Sequence, residues 1–277
     1  IDENHIGDFA RYTMTWPNSL AISSDGKIYC SDEYENSIYV FESDQVYTFP
    51  TADPAIEVKF KWGSNGNKPG QFNGPAGLQF DNKGDLHVVD SGNNRIQIFS
   101  PTGSYIRSWG ESGTDEGQFF NPWGIFIDSE DKIYVADWGN NRVQIFDHEG
   151  QYIATLGTTG AEHQLLNHPS HVAVDKDGDI YVSDWGNNRV QIFNRDGNFI
   201  QNLNGDSTDF SKAALYVLDR AALANTVAED TLKENPNLMD QFKKFGRPTG
   251  IAINESNQVI IADSKSRLQV YNKIVCD

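Results

Sequence analysis

Three histidines, His163, His168 and His171, form the densest group of potential metal ligands in the chain. Imidazole nitrogens bind zinc and related metals, so this H-x4-H-x2-H segment could hold a divalent metal, although its spacing matches no specific metal motif. An imidazole can also serve as a general base, while hydrogen-bonded or solvent-facing histidines are the commoner alternative. His171 is singled out because sister segments carry glycine at its place, namely Gly77, Gly124 and Gly250.

Pairs of Asp and Arg recur in register along the chain. The stretch DWGNNRVQIF occurs twice, at 137–146 and 184–193, and the same Asp and Arg positions recur at 90 and 95 and at 263 and 267. A catalytic group is rarely needed once per repeat, whereas an ion pair that braces a loop is needed each time. We interpret these pairs as structural. If the protein is an enzyme, Asp184 and Arg247 are the groups expected to act with His171.

Five segments that begin on a proline define a repeat. The prolines are Pro17, Pro75, Pro122, Pro169 and Pro248, at intervals of 58, 47, 47 and 79 residues. Each repeat contains short runs rich in β-branched and aromatic residues, such as KIYVAD and RVQIF, separated by Gly, Asn and Asp clusters. DKDGD at 175–179 is one of these clusters, and we favour a hairpin turn over a calcium loop there. Four antiparallel strands per repeat of 40 to 50 residues predict a propeller blade.

The ends of the chain and its longest interval lead to two further expectations. The first 16 residues and the last 30 together nearly complete one repeat, which predicts that the N- and C-terminal segments pair to close the propeller. Residues 206–245 lack hairpin turns and are rich in Ala, Leu, Lys and Glu, which predicts a helical insertion between two blades. We therefore expect a single all-β domain over 1–277 with this insertion.

Blade topology places the candidate ligand-binding residues on one face. In a four-stranded antiparallel blade, the loop between strands 2 and 3 and the connection to the next blade emerge on the same side. Trp138 and Trp185 lie in loops of the first kind, where sister repeats have Ser91 and Ser264. The residues predicted to bind a ligand on that face are Trp123, Trp138, Trp185, Asn18 and Tyr34.

The repeats resemble NHL repeats. The resemblance rests on the pattern P-x-G-h-a-h-D…D-G-x-I-Y-V-x-D…N-x-R-V-Q-x-F in residues 74–99, 121–146 and 168–193. It implies a β-propeller of NHL-type four-stranded blades. NHL propellers commonly have six blades, so six is the alternative to the five that we count.

Two activities of NHL propellers are not carried over by the residues present. Resemblance to the peptide-amidating lyase would imply zinc-binding histidines at or beside the residue after each repeat proline. The residues at that position are Asn18, Ala76, Trp123, Ser170 and Thr249. Only Ser170 has a histidine neighbour, His171. RNA-binding NHL modules need basic clusters on one face, whereas these loops offer Asp, Glu, Asn and Trp.

The composition limits the classes of partner that the protein is expected to bind. With 39 acidic and 22 basic side chains the formal net charge is −17, which disfavours nucleic acid and anionic membrane surfaces. No apolar run of about 18 residues predicts membrane insertion. The sequence opens on Ile1, which suggests a trimmed, extracellular or periplasmic form, and Cys30 and Cys276 could form one disulfide in an oxidising compartment.

Two functional hypotheses follow from these observations. The first is a propeller that binds a small molecule or a protein, with the insertion at 206–245 covering the ligand or joining copies of the chain. The second is a lyase or hydrolase with a site around His171, with or without a divalent metal.

Overall fold

The computed structural model describes residues 14–42, 58–158, 164–205, 244–264 and 267–273. Within these ranges the chain forms 21 β-strands linked by tight turns and short 3₁₀ turns, without an α-helix. Among the described residues, no helix has the length and hydropathy needed to cross a membrane. The chain divides into two compact units, residues 2–172 and residues 173–277 with residue 1, which we describe separately.

The first unit contains three four-stranded antiparallel sheets in chain order. The first sheet comprises β1 (Pro17–Ile22), β2 (Ile28–Asp32), β3 (Ser37–Phe41) and β4 (Phe60–Trp62). The second comprises β5 (Pro75–Phe80), β6 (Leu86–Asp90), β7 (Arg95–Phe99) and β8 (Tyr105–Trp109). Two short parallel strands follow, β9 (Glu111–Ser112) and β10 (Gln118–Phe119). The third sheet comprises β11 (Ile125–Ile127), β12 (Ile133–Asp137), β13 (Arg142–Phe146) and β14 (Tyr152–Leu156).

The second unit continues the same pattern. Its four-stranded sheet comprises β15 (Pro169–Val174), which begins before the boundary, β16 (Ile180–Asp184), β17 (Arg189–Phe193) and β18 (Phe199–Leu203). The last sheet has three described strands, β19 (Pro248–Ile253), β20 (Gln258–Asp263) and β21 (Arg267–Asn272). The predicted five-bladed all-β propeller is therefore confirmed.

Some expectations lie outside the described residues. The predicted helical insertion at 206–245 does so except for Lys244 and Phe245. The terminal segments expected to close the propeller, residues 1–13 and 274–277, also lie outside. These expectations, and the assignment of 1–277 to a single domain, stay predictions.

A side chain at the end of each first strand shapes the hairpin turn that follows. In the second unit, Asp175 Oδ1 accepts the backbone N–H groups of Asp177 and Asp179, both at 2.9 Å. Gly178 completes this turn at φ +88°, a conformation that favours glycine. Asp81 and Asp128 accept N–H groups two and four residues later in the same way, and Asp147 does so in the turn after a third strand, β13. The prediction that DKDGD is a turn is confirmed.

Aromatic side chains fill the space between consecutive sheets of the first unit. Trp109 lies with its ring centre 4.6 Å from Phe146 and 5.8 Å from Phe119, and both phenylalanines are fully buried. One repeat earlier, Trp62 and Phe72 pack on Phe99 at 5.9 and 5.6 Å. These tilted ring pairs add to the burial of apolar area, so the last strands of the first two sheets, β4 and β8, are each anchored by a tryptophan.

Glycines at the innermost strands let consecutive sheets of the first unit approach closely. A Cβ atom on Gly124 would lie 2.5 Å from the carbonyl oxygen of Ser170 and 2.8 Å from His171 Cα. A Cβ atom on Gly77 would lie 2.8 Å from the carbonyl oxygen of Trp123, which accepts the Gly77 N–H. The absence of a side chain at these positions is therefore a packing requirement.

This close approach predicts that the substitution Gly124→Ala lowers the free energy of unfolding by about 1–3 kcal/mol, the usual cost of overpacking. Gly250→Ala is the matched control, because no atom of the described residues lies within 4 Å of its added Cβ. We expect the control to be neutral or to stabilise by up to about 1 kcal/mol. Urea unfolding of both variants measures the difference, and equal effects would contradict the packing argument.

Candidate functional site

The loop after each second strand is organised around a buried carboxylate. At the end of β12, Asp137 is fully buried and accepts four hydrogen bonds. The donors are the Phe120 N–H at 2.8 Å, the Asn140 amide at 2.9 Å, the Arg142 Nε–H at 2.8 Å and the Gln144 amide at 3.2 Å. Oδ1 accepts the first of these bonds and Oδ2 the other three, so the buried charge is compensated by donors.

The arginine of each pair also holds the chain segment that precedes its sheet. Arg142 donates to the backbone carbonyls of Thr114, Asp115 and Gln118, each at 2.8 Å. Asp90 and Arg95 repeat the arrangement one blade earlier, with the carbonyls of residues 67, 68 and 71 as acceptors. The interpretation of the Asp and Arg pairs as structural is confirmed for these two repeats.

An asparagine links each loop to the following sheet. Asn141 has φ +56°, and its Oδ1 accepts the N–H of His168 at 2.9 Å. Asn94 accepts from Asn121 at 2.7 Å, and one blade earlier the acceptor is Asn36 and the donor is Gly74 at 2.9 Å. In each case the donor is the residue before the next repeat proline or its equivalent. The loop is thereby fixed at both ends.

Inside this fixed frame, the residue after the buried Asp varies between repeats. It is Glu33, Ser91 and Trp138 in the first unit and Trp185 and Ser264 in the second. The ring of Trp138 lies 4.0 Å from the ring of His168, centre to centre. In the second unit, the guanidinium of Arg247 lies 4.1 Å from the centre of the Trp185 ring. Both tryptophans therefore contact the residue before the next repeat proline.

Two adjoining cavities open between these loops in the first unit, and we call them together the aromatic groove. One cavity, of about 240 Å³, is lined by Glu33, Asn73, Gly74, Ser91, Gly92, Asn121, Trp123 and Trp138. The other, of about 310 Å³, is lined by Trp16, Glu33, Tyr34, Asn36, Asn73 and Gly74. The groove combines four aromatic rings with amides and a single carboxylate, a lining suited to a small ligand.

The structure brings together three of the five residues predicted to bind a ligand. Trp123 and Trp138 line the first cavity and Tyr34 lines the second. Asn18 lies beside them, where its amide donates to Glu33 Oε2 at 3.2 Å and so orients that carboxylate. Trp185 belongs to the second unit, where Arg247 covers it.

Sequence reasoning missed several lining residues. They are Trp16, Glu33, Asn73 and Asn121. Glu33 and Asn121 could have been found, because Glu33 aligns with Trp138 after the buried Asp and Asn121 precedes a repeat proline.

A comparison with family models matches the NHL repeat at residues 72–99, 119–146 and 166–193. This chain carries NHL repeats. No curated protein matches it. Similar solved structures include a protein of unknown function from Bacteroides caccae, at 12% identity and a TM-score of 0.57 over 89% of this chain and 70% of that chain.

Two lyases share the fold. Virginiamycin B lyase from Staphylococcus aureus is 13% identical, with a TM-score of 0.51 over 93% of this chain and 70% of its own. A streptogramin B lyase is also 13% identical, with a TM-score of 0.52 over 92% of this chain and 68% of its own. At this identity the likeness shows the fold alone.

His171 lies at the innermost strand of its NHL repeat and is partly buried. Its Nδ1 atom is buried and makes no hydrogen bond of normal geometry with the described residues. Burial lowers the pKa of His171 from 6.5 to about 4, and an interaction with the Val172 backbone opposes this shift in part. The imidazole is therefore neutral at pH 7 and able to accept a proton.

The predicted metal site remains a prediction. His163 lies outside the described residues, and His168 contacts Trp138 and the side chain of Asn167 at 2.6 Å. In the part of the chain that the structure describes, no three His, Cys, Asp or Glu side chains are grouped to hold a metal ion.

The remaining catalytic candidates lie in the second unit. Asp184 is fully buried and accepts from Asn187, Arg189 and Gln191 at 2.7–3.0 Å, as Asp137 does from its own partners. Arg247 lies over Trp185. Asp184 therefore braces its NHL repeat.

The acidic turn of the second unit is paired with a cation of the chain itself. The Lys273 ammonium lies 2.8, 2.9 and 2.7 Å from carboxylate oxygens of Asp175, Asp177 and Asp179. Burial acts to lower the pKa of Lys273, but hydrogen bonds to the three carboxylates outweigh it and raise the pKa. The ammonium occupies the position that a cation would need.

Cys30 is buried in β2, and burial raises the pKa of its thiol to about 12. Cys276 lies outside the described residues, so the disulfide between them stays a prediction.

The brace in the NHL repeat at residues 119–146 leads to a stability prediction. Asp137→Ala removes the counter-charge of a buried guanidinium, so we expect the free energy of unfolding to fall by about 3–5 kcal/mol. Asp115→Ala, an exposed position in the loop held by Arg142, is the control and should change it by less than about 0.5 kcal/mol. Asp137→Asn keeps an acceptor and should lie between them. Urea unfolding measures all three, and a loss below that of the control would contradict the brace.

His171 leads to a prediction about pH. Because its pKa falls from 6.5 in the unfolded chain to about 4 in the folded chain, the unfolded chain binds the proton more readily. The contribution of His171 to stability is therefore complete above pH 6.5 and is lost as the pH falls from 6.5 towards 4. Urea unfolding at several pH values should show this loss in the wild type and not in His171→Gln. An NMR titration of the imidazole with a midpoint near 6.5 would contradict it.

Proposed function

We propose that this protein is a ligand-binding NHL propeller and that the aromatic groove holds its ligand. The observation that carries the proposal is the exposure of large rings in a concave site. Trp16 is 65% exposed and Tyr34 is 67% exposed, and both line the second cavity of the groove. Aromatic rings that line a cavity offer a large contact area at a small cost in side-chain entropy.

The groove is also independent of the elements that stabilise the fold. In the loops after β6 and β12, the buried Asp, the Arg and the αL Asn are engaged in bracing. The side chains that face the cavities, such as Glu33, Ser91 and Trp138, are those that differ between repeats. Variation at exposed positions on a fixed scaffold is typical of binding surfaces.

A thermal-shift screen of saccharides, amines, amino-acid derivatives, nucleotides and carboxylates tests the proposal, because a ligand that binds only the folded state raises its stability. For each hit, we expect the double substitution Trp16→Ala and Tyr34→Ala to weaken binding by at least about tenfold, as loss of interface aromatics does. The two rings are exposed, so the melting temperature of the ligand-free protein should change little.

Phe120→Ala is the matched control, since Phe120 is an aromatic residue of 50% exposure that lines neither cavity. It should leave the affinity unchanged. Hits whose affinity is the same in the double variant, or no hits in any class, would contradict the groove as the binding site.

The alternative function is a propeller lyase or hydrolase. It is favoured by one observation, the neutral His171 whose buried Nδ1 has no partner of normal geometry among the described residues. Two solved structures of similar fold are lyases. Mass spectrometry of each hit after incubation separates the two functions. A bound compound that is recovered unchanged supports binding, and conversion that is lost in His171→Gln supports the enzyme.

A further inference from the structure

Among the described residues, the only ionised side chain that lines the aromatic groove is a carboxylate. Glu33 lines both cavities, and no described Lys or Arg lines either one. Glu33 is partly buried, and among the described residues only the Asn18 amide bonds to its carboxylate, at Oε2. A partly buried carboxylate beside aromatic rings favours a positively charged ligand group, through charge pairing and through the negative faces of the rings.

A cation of the chain pairs with the acidic turn of the second unit, whereas Glu33 has no such partner among the described residues. Lys273 lies among Asp175, Asp177 and Asp179 in the second unit. No salt bridge of the described residues involves Glu33, and acidic side chains outnumber basic ones by 17 in the chain. The carboxylate of Glu33 is thus available to pair with a cationic ligand group.

The second unit shows which cation this kind of loop accepts. Trp185 occupies the position equivalent to Trp138 and Glu33, directly after the buried Asp. The guanidinium of Arg247 lies 4.1 Å from the centre of its ring. A planar guanidinium stacks on an indole and can donate to a carboxylate at the same time, which an ammonium does less well.

We propose that the aromatic groove binds a guanidinium group, which Glu33 pairs with and the rings of the groove flank. This inference rests on the proposed function and adds the chemical class of the ligand. The guanidinium can belong to a free guanidino compound or to an arginine side chain of a peptide, and the probes below distinguish these sources.

The test compares two probes that differ in charge and have nearly the same shape. N-acetyl-arginine amide carries a guanidinium as its only charge, and N-acetyl-citrulline amide carries an uncharged urea in its place. Binding is followed by NMR through the indole N–H signals of Trp16, Trp123 and Trp138, assigned with Trp→Phe variants. We expect the arginine derivative to bind at least about tenfold more tightly, which corresponds to about 1.4 kcal/mol.

Charge-removing variants then assign the effect to Glu33. Glu33→Gln keeps the size of the side chain and should abolish the preference for the arginine derivative. Glu35→Gln removes the same charge two residues along the loop, from a residue that lines neither cavity, and should retain the preference. A blocked Gly-Arg-Gly peptide that binds more tightly than the single-residue probe indicates a peptide as the source, and weaker binding indicates a free guanidino compound.

Equal binding of the two probes, or a preference that survives Glu33→Gln, would overturn the guanidinium proposal. If an uncharged compound from the thermal-shift screen binds the groove under the same conditions, the proposed function stands and only the ligand class is wrong. If no compound of any class shifts the indole signals, both proposals fail.

Discussion

The buried carboxylate after each second strand is the interaction on which the described loops depend. Asp137 is wholly removed from water, so its charge must be met by donors, and Arg142 together with an amide pair and a backbone N–H supplies them. The guanidinium is in turn satisfied by three carbonyls of the neighbouring connection. The network favours a single conformation of each loop, because any other conformation would leave a buried charge without hydrogen-bond partners.

This constraint divides each loop into positions that are fixed and positions that are free. Asp, Arg and the αL Asn cannot change without leaving buried polar groups unpaired. The residue after the Asp only has to cover the start of the next repeat, and it does so as Glu33, Ser91 or Trp138. The groove is built from these free positions, so its chemistry can differ between repeat proteins while the scaffold stays the same.

The fold was predictable because its signals are local and repeated. Each signal indicates structure within one repeat: the repeat proline, the β-branched and aromatic residues of KIYVAD, and the turn residues of DKDGD. The groove depends instead on which side chains of neighbouring repeats meet. The contacts between repeats are set by hydrogen bonds such as that from the His168 N–H to Asn141 and by the close approach of two strands at Gly124. The sequence of a single repeat does not encode these contacts. Trp123, Trp138 and Tyr34 were recognisable as aromatic residues on loops, and Trp16 could have been found because it precedes a repeat proline, whereas Asn73 carries no such signal.

The two units use equivalent positions differently, and the difference explains why the groove lies in the first. In the second unit the chain places its own Arg247 on Trp185 and its own Lys273 among three carboxylates, so both features are satisfied internally. In the first unit, His168 before Pro169 contacts Trp138, but the residues before Pro75 and Pro122 are Gly74 and Asn121, which carry no ring and no positive charge to set against Glu33. Small residues before two successive prolines therefore open the space, and the carboxylate beside it sets the charge of what can enter.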